Sequence, residues 1–182
     1  MSQKEANFIY DKIKHIEHPV GVEVGVADGG TSIPLLQLHL GLHLYCVDPY
    51  EMYNAVYDDG KAKQHGYKHQ EQFDRQYVST YGKLQQYNDR CTFMRKSSDI
   101  AAFHFSEELF DFVFIDGNHL HDSVREDIKI WLPKVRPGGI MLGHDYNPGD
   151  ANLKLNVVAA VNESFTQEEI NKGSHSIWWV QK

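Results

Sequence analysis

The chain lacks several features that would assign it to a specialised class of protein. Only two of its 182 residues are cysteine, too few for a disulfide framework. Basic side chains number 18 against 25 acidic ones, a formal net charge of −7. This balance argues against non-specific binding to nucleic acid or to an anionic membrane, since both require a basic face.

Long apolar segments are also missing. No run approaches the roughly 20 apolar residues of a transmembrane helix. The first ten residues, MSQKEANFIY, carry charges where a signal peptide needs an apolar stretch. We therefore expect a cytoplasmic protein.

Short apolar strands alternate with longer amphipathic segments, without a linker or an internal repeat. The pattern predicts strands at 20–24, 43–47, 91–95, 110–115, 139–142 and 176–180, and helices at 3–17, 33–40, 98–108, 121–132 and 153–165. The alternation indicates an α/β, Rossmann-like, doubly wound fold with a mostly parallel sheet and helices on both faces, in a single domain over residues 1–182. In such sheets ligands bind beyond the carboxyl ends of the strands.

Residues 50–90 interrupt this alternation, because they are longer than one crossover helix requires. Seven of the ten tyrosines fall here, with a helix predicted over 67–87 and a turn at Asp58-Asp59-Gly60. A long insertion near the strand ends is often a substrate lid. A surface excursion without such a role is the alternative.

The residues that follow the first five strands are polar or rich in glycine: Gly25–Ser32, Asp48, Ser97–Asp99, Asp116–His119 and His144–Tyr146. The first of these segments has the spacing Gly-x-x-x-Gly-Gly, which differs from the Gly-x-Gly-x-x-Gly of dinucleotide-binding proteins. Glu23 lies inside the first apolar strand, where a carboxylate needs a partner. Thr31 or Ser32 is expected to cap the helix that follows. Together these segments predict one site at the carboxyl edge of the sheet.

Four segments carry a more specific pattern: EVGVADGGTS at 23–32, CVD at 46–48, FVFIDGNH at 112–119 and WLPKVRPGGIMLGHDY at 131–146. They resemble the class I S-adenosylmethionine-dependent methyltransferases, and are most similar to the short small-molecule O-methyltransferase branch that includes the macrocin O-methyltransferase and cephalosporin-hydroxylase-like families. The resemblance, over residues 20–146, implies an S-adenosyl-L-methionine cofactor. It also implies methyl transfer to a hydroxyl of a small-molecule acceptor such as a sugar or a phenolic metabolite. The tail after residue 165 is shorter than the family's terminal β-hairpin requires.

The predicted cofactor-binding residues lie in the first strand or follow the first four: Glu23, Gly25, Gly29, Thr31, Ser32, Asp48, Ser98, Asp99 and Asp116. The resemblance implies that Gly25 and Gly29 line the methionine part of the cofactor. It also implies that Asp48 holds the ribose and that Ser98 or Asp99 lies near the adenine. From the residues alone, Ser98 or Asp99 fits a helix cap equally well.

Two designs fit the reacting end. In the first, Asp116 and Asp145 bind Mg²⁺, which lowers the pKa of the acceptor hydroxyl. Related metal-dependent O-methyltransferases resemble this arrangement. Tyr146 stands where they carry a third ligand, and Asn118 or Asn147 is the alternative for that place. In the second design no metal takes part, and His119 or His144 is the general base, since an imidazole titrates near neutrality.

Other function classes are less consistent with the sequence. DNA amino-methyltransferases carry a Pro-Pro-aromatic run after the fourth strand to hold a flipped base, where this chain has Asp116-Gly117-Asn118-His119. Two alternatives stay open: a protein that binds an S-adenosyl ligand without catalysis, and a nucleotide-dependent oxidoreductase on a Rossmann fold. The pair Trp178-Trp179 fits either a terminal strand or an interface in a homo-oligomer.

Overall fold

A computed structural model of the chain describes residues 3–52, 69–147 and 154–182. Within these ranges seven strands form one sheet in the order β3-β2-β1-β4-β5-β7-β6. Their bounds are β1 Val20–Val24, β2 His43–Val47, β3 Cys91–Met94, β4 Phe110–Ile115, β5 Val135–Gly143, β6 Asn171–Lys172 and β7 Trp178–Gln181. The first five strands are parallel, and β7 runs antiparallel between β5 and β6.

Six α-helices of the described chain cover the sheet: α1 Gln3–Ile13, α2 Ser32–Leu38, α3 Gln70–Leu84, α4 Ser98–Ala102, α5 His121–Trp131 and α6 Lys154–Ser164. Strand β4 shows how they divide. Phe112 and Phe114 join the apolar core under α1 and α2, whereas Val113 and Ile115 join the core under α4, α5 and α6. A strand buried on both faces is mainly apolar, and the one charged residue of β4, Asp111, accepts the Val20 backbone N–H and pairs with Arg136.

The predicted α/β class, the parallel sheet and the single-domain layers are confirmed, but several element ends differ. The first helix ends at Ile13, and α4 ends at Ala102. Strand β5 begins at Val135, ahead of the predicted start at Gly139, because the turn-forming residues 136–139 sit inside it. The pairing jumps there from Phe110–Val135 to Phe112–Ile140, as in a β-bulge.

The C-terminal tail forms a short hairpin, contrary to the expectation that it is too short. Two residues of β6 pair with Trp178 and Trp179 of β7. Trp178 is buried, so the tryptophan pair belongs to a terminal strand. In the insertion, the predicted helix begins at Gln70, and the predicted turn at 58–60 lies outside the described residues.

Both cysteines, Cys46 and Cys91, are free and buried. Among the helices described, none is both long enough and apolar enough to cross a bilayer.

Candidate active site

A cavity of about 830 Å³ lies at the carboxyl ends of the parallel strands. Ten of the twelve predicted site residues line it: Glu23, Gly25, Thr31, Asp48, Ser98, Asp99, Asp116, His119, His144 and Asp145. The other two, Gly29 and Ser32, are not among the described residues that line it. The strand ends therefore converge as the sequence pattern predicts.

Gly25 allows the loops after β1 and β4 to approach each other. Its φ is +94°, and a Cβ there would lie 2.3 Å from the carbonyl oxygen of Asp116. Only glycine meets both conditions without strain. The glycine is thus required by backbone packing, whatever ligand the cavity takes.

Asp48 organises the loops that follow β1 and β2. Its Oδ2 accepts the backbone N–H groups of Val26 and Ala27, each at 3.0 Å, and its Oδ1 accepts that of Tyr50 at 2.8 Å. The Tyr50 hydroxyl donates to the Ala27 carbonyl at 2.5 Å, as does that of Thr80 on α3 at 2.9 Å. Asp48 thereby shapes the cavity wall that it lines, and its contact with a ribose stays a prediction.

Glu23 finds its partner in Ser32, whose hydroxyl donates to Glu23 Oε2. Burial raises the pKa of Glu23 well above its usual range, and the nearby Asp116 and Asp48 carboxylates act in the same direction, while the Ser32 hydrogen bond opposes them. Of the two predicted caps, Thr31 is the N-cap residue of α2, although its side chain makes no capping bond. Ser32 is the first residue of the helix, with its hydroxyl turned to Glu23. This bond ties α2 to β1.

Two imidazoles and two carboxylates meet at the ends of β4 and β5. Asp145 lies between the rings: its Oδ2 is 3.3 Å from His119 Nδ1, and its Oδ1 is 3.3 Å from His144 Nδ1. Asp116 Oδ1 is 3.6 Å from His119 Nε2 and 3.8 Å from His144 Nδ1. From α1, Glu5 places Oε1 3.3 Å from His144 Nε2.

The carboxylates outweigh burial at both histidines. Burial lowers the pKa of His119, but Asp116 and Asp145 together raise it by more, so the net shift is upward. Burial likewise lowers the pKa of His144, while Asp145, Asp116 and Glu5 produce a net rise. A raised pKa makes the neutral form of each imidazole a stronger proton acceptor than a free imidazole is.

The donor set does not fit the predicted Mg²⁺ site. Mg²⁺ prefers oxygen ligands in octahedral geometry, whereas imidazole nitrogens stand against Asp116 and Asp145 here. Across the described ranges, no group of three or more His, Cys, Asp or Glu side chains is arranged to hold a metal ion. The two carboxylates instead orient the imidazoles.

A second polar cluster lies where α4 begins. The Ser98 hydroxyl donates to Asp127 Oδ1 on α5, and Trp131 Nε1 donates to Ser98 Oγ at 2.8 Å. Asp127 is only 7% exposed, and burial raises its pKa to about 7 despite the Ser98 hydrogen bond. Asp99 is exposed, and the Ser97 hydroxyl together with the Ile100 backbone N–H lowers its pKa.

Sequence reasoning missed Glu5 and Asp127, which both line the cavity. A usable signal exists for each. Glu5 is buried four residues before Ile9 on the apolar face of α1, and Asp127 is buried four residues before Trp131 on that of α5. A carboxylate at apolar helical spacing is costly to bury without a purpose.

Comparisons with known proteins agree with this architecture. A family model described as a methyltransferase domain matches residues 22–146. A curated relative, an uncharacterized protein from Sinorhizobium fredii, is 31% identical over 61 residues, which are 34% of this chain and 7% of that protein. The chain thus spans only a small part of the length of that relative.

Solved structures superpose on nearly the whole chain. The SAH-bound methyltransferase PaMTH1 of Podospora anserina has a TM-score of 0.68 at 10% identity, covering 99% of this chain and 78% of that one. The O-methyltransferase from Bacillus cereus in complex with SAH has a TM-score of 0.66 at 14% identity, covering 100% and 82%. The O-methyltransferase NovP has a TM-score of 0.66 at 16% identity, covering 99% of this chain and 78% of that one. At these identities the likeness establishes the fold. Because the family match takes in most of the chain, including the glycine turn and both site histidines, the protein belongs to the methyltransferase-domain family.

Proposed function

We propose that the protein transfers a methyl group from S-adenosyl-L-methionine to a hydroxyl of a small-molecule acceptor. The observation that carries this proposal is the Asp145 carboxylate held between the Nδ1 atoms of His119 and His144 beside the cavity. A hydroxyl needs a group that removes its proton as the new bond to oxygen forms. An imidazole oriented by a carboxylate is such a group.

The cavity lining suits a cationic cofactor. The carboxylates of Asp48 and Asp116 border it, and negative charge near a bound cation is favourable at low dielectric. When bound, the cofactor supplies an electrophilic methyl group on a positively charged sulfur. We assign the glycine turn at Gly25 and the strand-end carboxylates to holding it.

We assign the general base to His119. Its ring lines the cavity, Nδ1 faces Asp145 at 3.3 Å, and Nε2 makes no hydrogen bond within the described residues, since the nearest Asp116 oxygen is 3.6 Å away. The tautomer that donates Nδ1–H to Asp145 leaves Nε2 ready to accept the acceptor's proton. His144 has a carboxylate oxygen at 3.3 Å from each ring nitrogen, whereas the nearest carboxylate oxygen to His119 Nε2 is 3.6 Å away, so we assign to His144 the role of supporting Asp145.

No step of the proposal runs through a metal, since the donor set does not fit Mg²⁺. The predicted ligands Asp116 and Asp145 act in the proposal by orienting His119. A requirement of turnover for Mg²⁺ would restore the metal design.

Acceptor choice is assigned to residues 50–90. From the described part of that segment, Tyr50, Phe73 and Gln76 line the cavity, which adds aromatic surface to its wall. The proposal includes a cytoplasmic setting and a small-molecule partner.

The test has two stages. Isothermal titration with S-adenosylmethionine, S-adenosylhomocysteine (SAH) and NAD separates the methyltransferase from an oxidoreductase, and NAD binding without S-adenosyl binding would refute the proposal. SAH release over a panel of hydroxylated acceptors then separates an enzyme from a protein that only binds the cofactor.

The variant that tests the base is His119→Gln, with exposed His104→Gln as the matched control. We expect His119→Gln to lower kcat by about 10²- to 10⁴-fold while SAH affinity is kept. Unchanged turnover in that variant would show that His119 is not the general base.

A further inference from the structure

We propose that Asp127 recognises the amino group of the cofactor's adenine, in place of the Ser98 or Asp99 that the sequence predicts. The inference rests on the proposed function, because it concerns how this chain reads the nucleobase of an S-adenosyl ligand. It is carried by the hydrogen bonds at the start of α4 and by the burial of Asp127 at the cavity wall.

Ser98 has no hydrogen left to donate. A serine hydroxyl carries a single donor, and that of Ser98 is directed to Asp127 Oδ1. Ser98 Oγ also accepts the Trp131 indole N–H at 2.8 Å. Ser98 therefore positions Asp127 and does not itself select a base.

Asp99 is committed to the N-terminus of α4. The Ser97 hydroxyl and the Ile100 backbone N–H bond to its carboxylate, which is exposed to solvent. An exposed carboxylate that already has partners gains little from a ligand N–H.

Asp127 has the opposite properties. It is 7% exposed, it lines the cavity, and Ser98 occupies only its Oδ1. In the part of the chain that the structure describes, its second oxygen, Oδ2, has no hydrogen-bond partner. Because Asp127 lines the cavity, this acceptor oxygen favours a ligand that offers an N–H at this place, and a ligand that offers a carbonyl would leave it without a donor.

The position suits the nucleobase. Strand β3, which leads to Ser98, is at one edge of the sheet, and β5, which leads to His144 and Asp145, lies beyond β1 and β4. Ser98 and Asp127 are therefore at the end of the cavity away from the imidazoles. A ligand whose reactive group faces His119 presents its far end to Asp127, and in S-adenosyl ligands that end is adenine.

The experiment compares the Kd values of SAH and of its deaminated analogue S-inosylhomocysteine, which has a carbonyl where adenine has the amine. Isothermal titration at pH 8 uses wild type, Asp127→Asn and Asp99→Asn, with the exposed Glu107→Gln as control. Wild type should prefer SAH by about 10- to 100-fold. Asp127→Asn should lose that preference, because an amide can also donate to the carbonyl. Asp99→Asn and Glu107→Gln should keep it.

The outcomes separate failure of the proposed function from failure of the role given to Asp127. No binding of SAH to wild type refutes the proposed function. Binding of SAH with equal affinity for the inosine analogue in wild type overturns the role of Asp127, and this arm needs no variant to fold. Full preference retained in Asp127→Asn, or its loss in Asp99→Asn alone, overturns it as well. Thermal melting of each variant confirms that the protein under titration is folded.

Discussion

His119 Nδ1 lies 3.3 Å from Asp145 Oδ2, across the gap between the loops after β4 and β5. The two residues are 26 positions apart in sequence, and neighbouring parallel strands bring them together. The contact orients the imidazole and leaves Nε2 as the nitrogen without a hydrogen-bond partner among the described residues. Four predictions follow from this geometry and from its surroundings.

Replacing Asp145 with Asn should impair turnover and spare cofactor binding. The amide keeps the shape of the side chain but removes the charge that orients and stabilises the His119 imidazolium. We expect kcat to fall by at least about 100-fold, with the Kd of SAH within a few-fold of wild type. Equal losses in kcat and in SAH affinity would show a structural role for Asp145 instead.

Removing divalent cations should leave activity unchanged. Imidazole nitrogens stand beside the carboxylates that Mg²⁺ would need. Protein treated with EDTA and then assayed with and without added Mg²⁺ should show the same kcat. Activity that is lost on chelation and returns with Mg²⁺ would contradict the base assignment and reinstate Asp116 and Asp145 as ligands.

Of two glycine-to-alanine changes, one should weaken SAH binding and the other should leave it unchanged. At Gly25 the new Cβ would lie 2.3 Å from the Asp116 carbonyl oxygen, at a φ of +94°. The loops after β1 and β4 must therefore separate. We expect SAH affinity to fall by at least about tenfold, consistent with a strain of about 1–3 kcal/mol. At Gly82, inside α3, nothing lies within 4 Å of an added Cβ.

The Gly82→Ala variant is thus the matched control. Alanine is favoured over glycine in a helix interior by roughly 0.5–1 kcal/mol, so the free energy of unfolding in urea should rise and SAH affinity should stay unchanged. A Gly25→Ala variant that binds SAH as wild type does would show that the two loops can move apart freely.

The stability of the fold should decline as the pH rises through the range in which Asp127 titrates. Burial raises its pKa to about 7 in the folded protein, against about 3.9 in an unfolded chain. The folded state therefore holds this proton to higher pH. Its stabilising contribution is complete below about pH 4 and is lost as the pH approaches 7 and beyond, by a few kcal/mol at most.

Urea unfolding at pH 5 and pH 8 isolates that contribution when wild type is compared with Asp127→Asn, because the other titrating groups are common to both. We expect the variant to lose less stability between the two pH values than wild type. An equal loss in both proteins would place the pKa of Asp127 near its ordinary value.

The sequence is enough to predict which polar side chains lie at the strand ends. Glu23, Asp48, Asp116 and Asp145 each follow or lie in a short apolar run, and parallel strands bring their carboxyl ends to one edge. The pattern therefore predicts that all four meet at one site, and all four line the cavity. It could not say which atoms they contact. Asp48 accepts hydrogen bonds from two backbone N–H groups of the loop after β1, and no local sequence pattern predicts those contacts.

Local periodicity and turn residues determined the α/β class, the order of the strands along the chain and the set of polar groups at their ends, because these depend on neighbours within a few residues. Tertiary structure alone decided that α1 brings Glu5 to His144, that α5 brings Asp127 to Ser98, and that Asp145 stands between two imidazoles. Those contacts join residues far apart in sequence. Their distances follow from how helices pack on the sheet, which single-residue propensities do not encode.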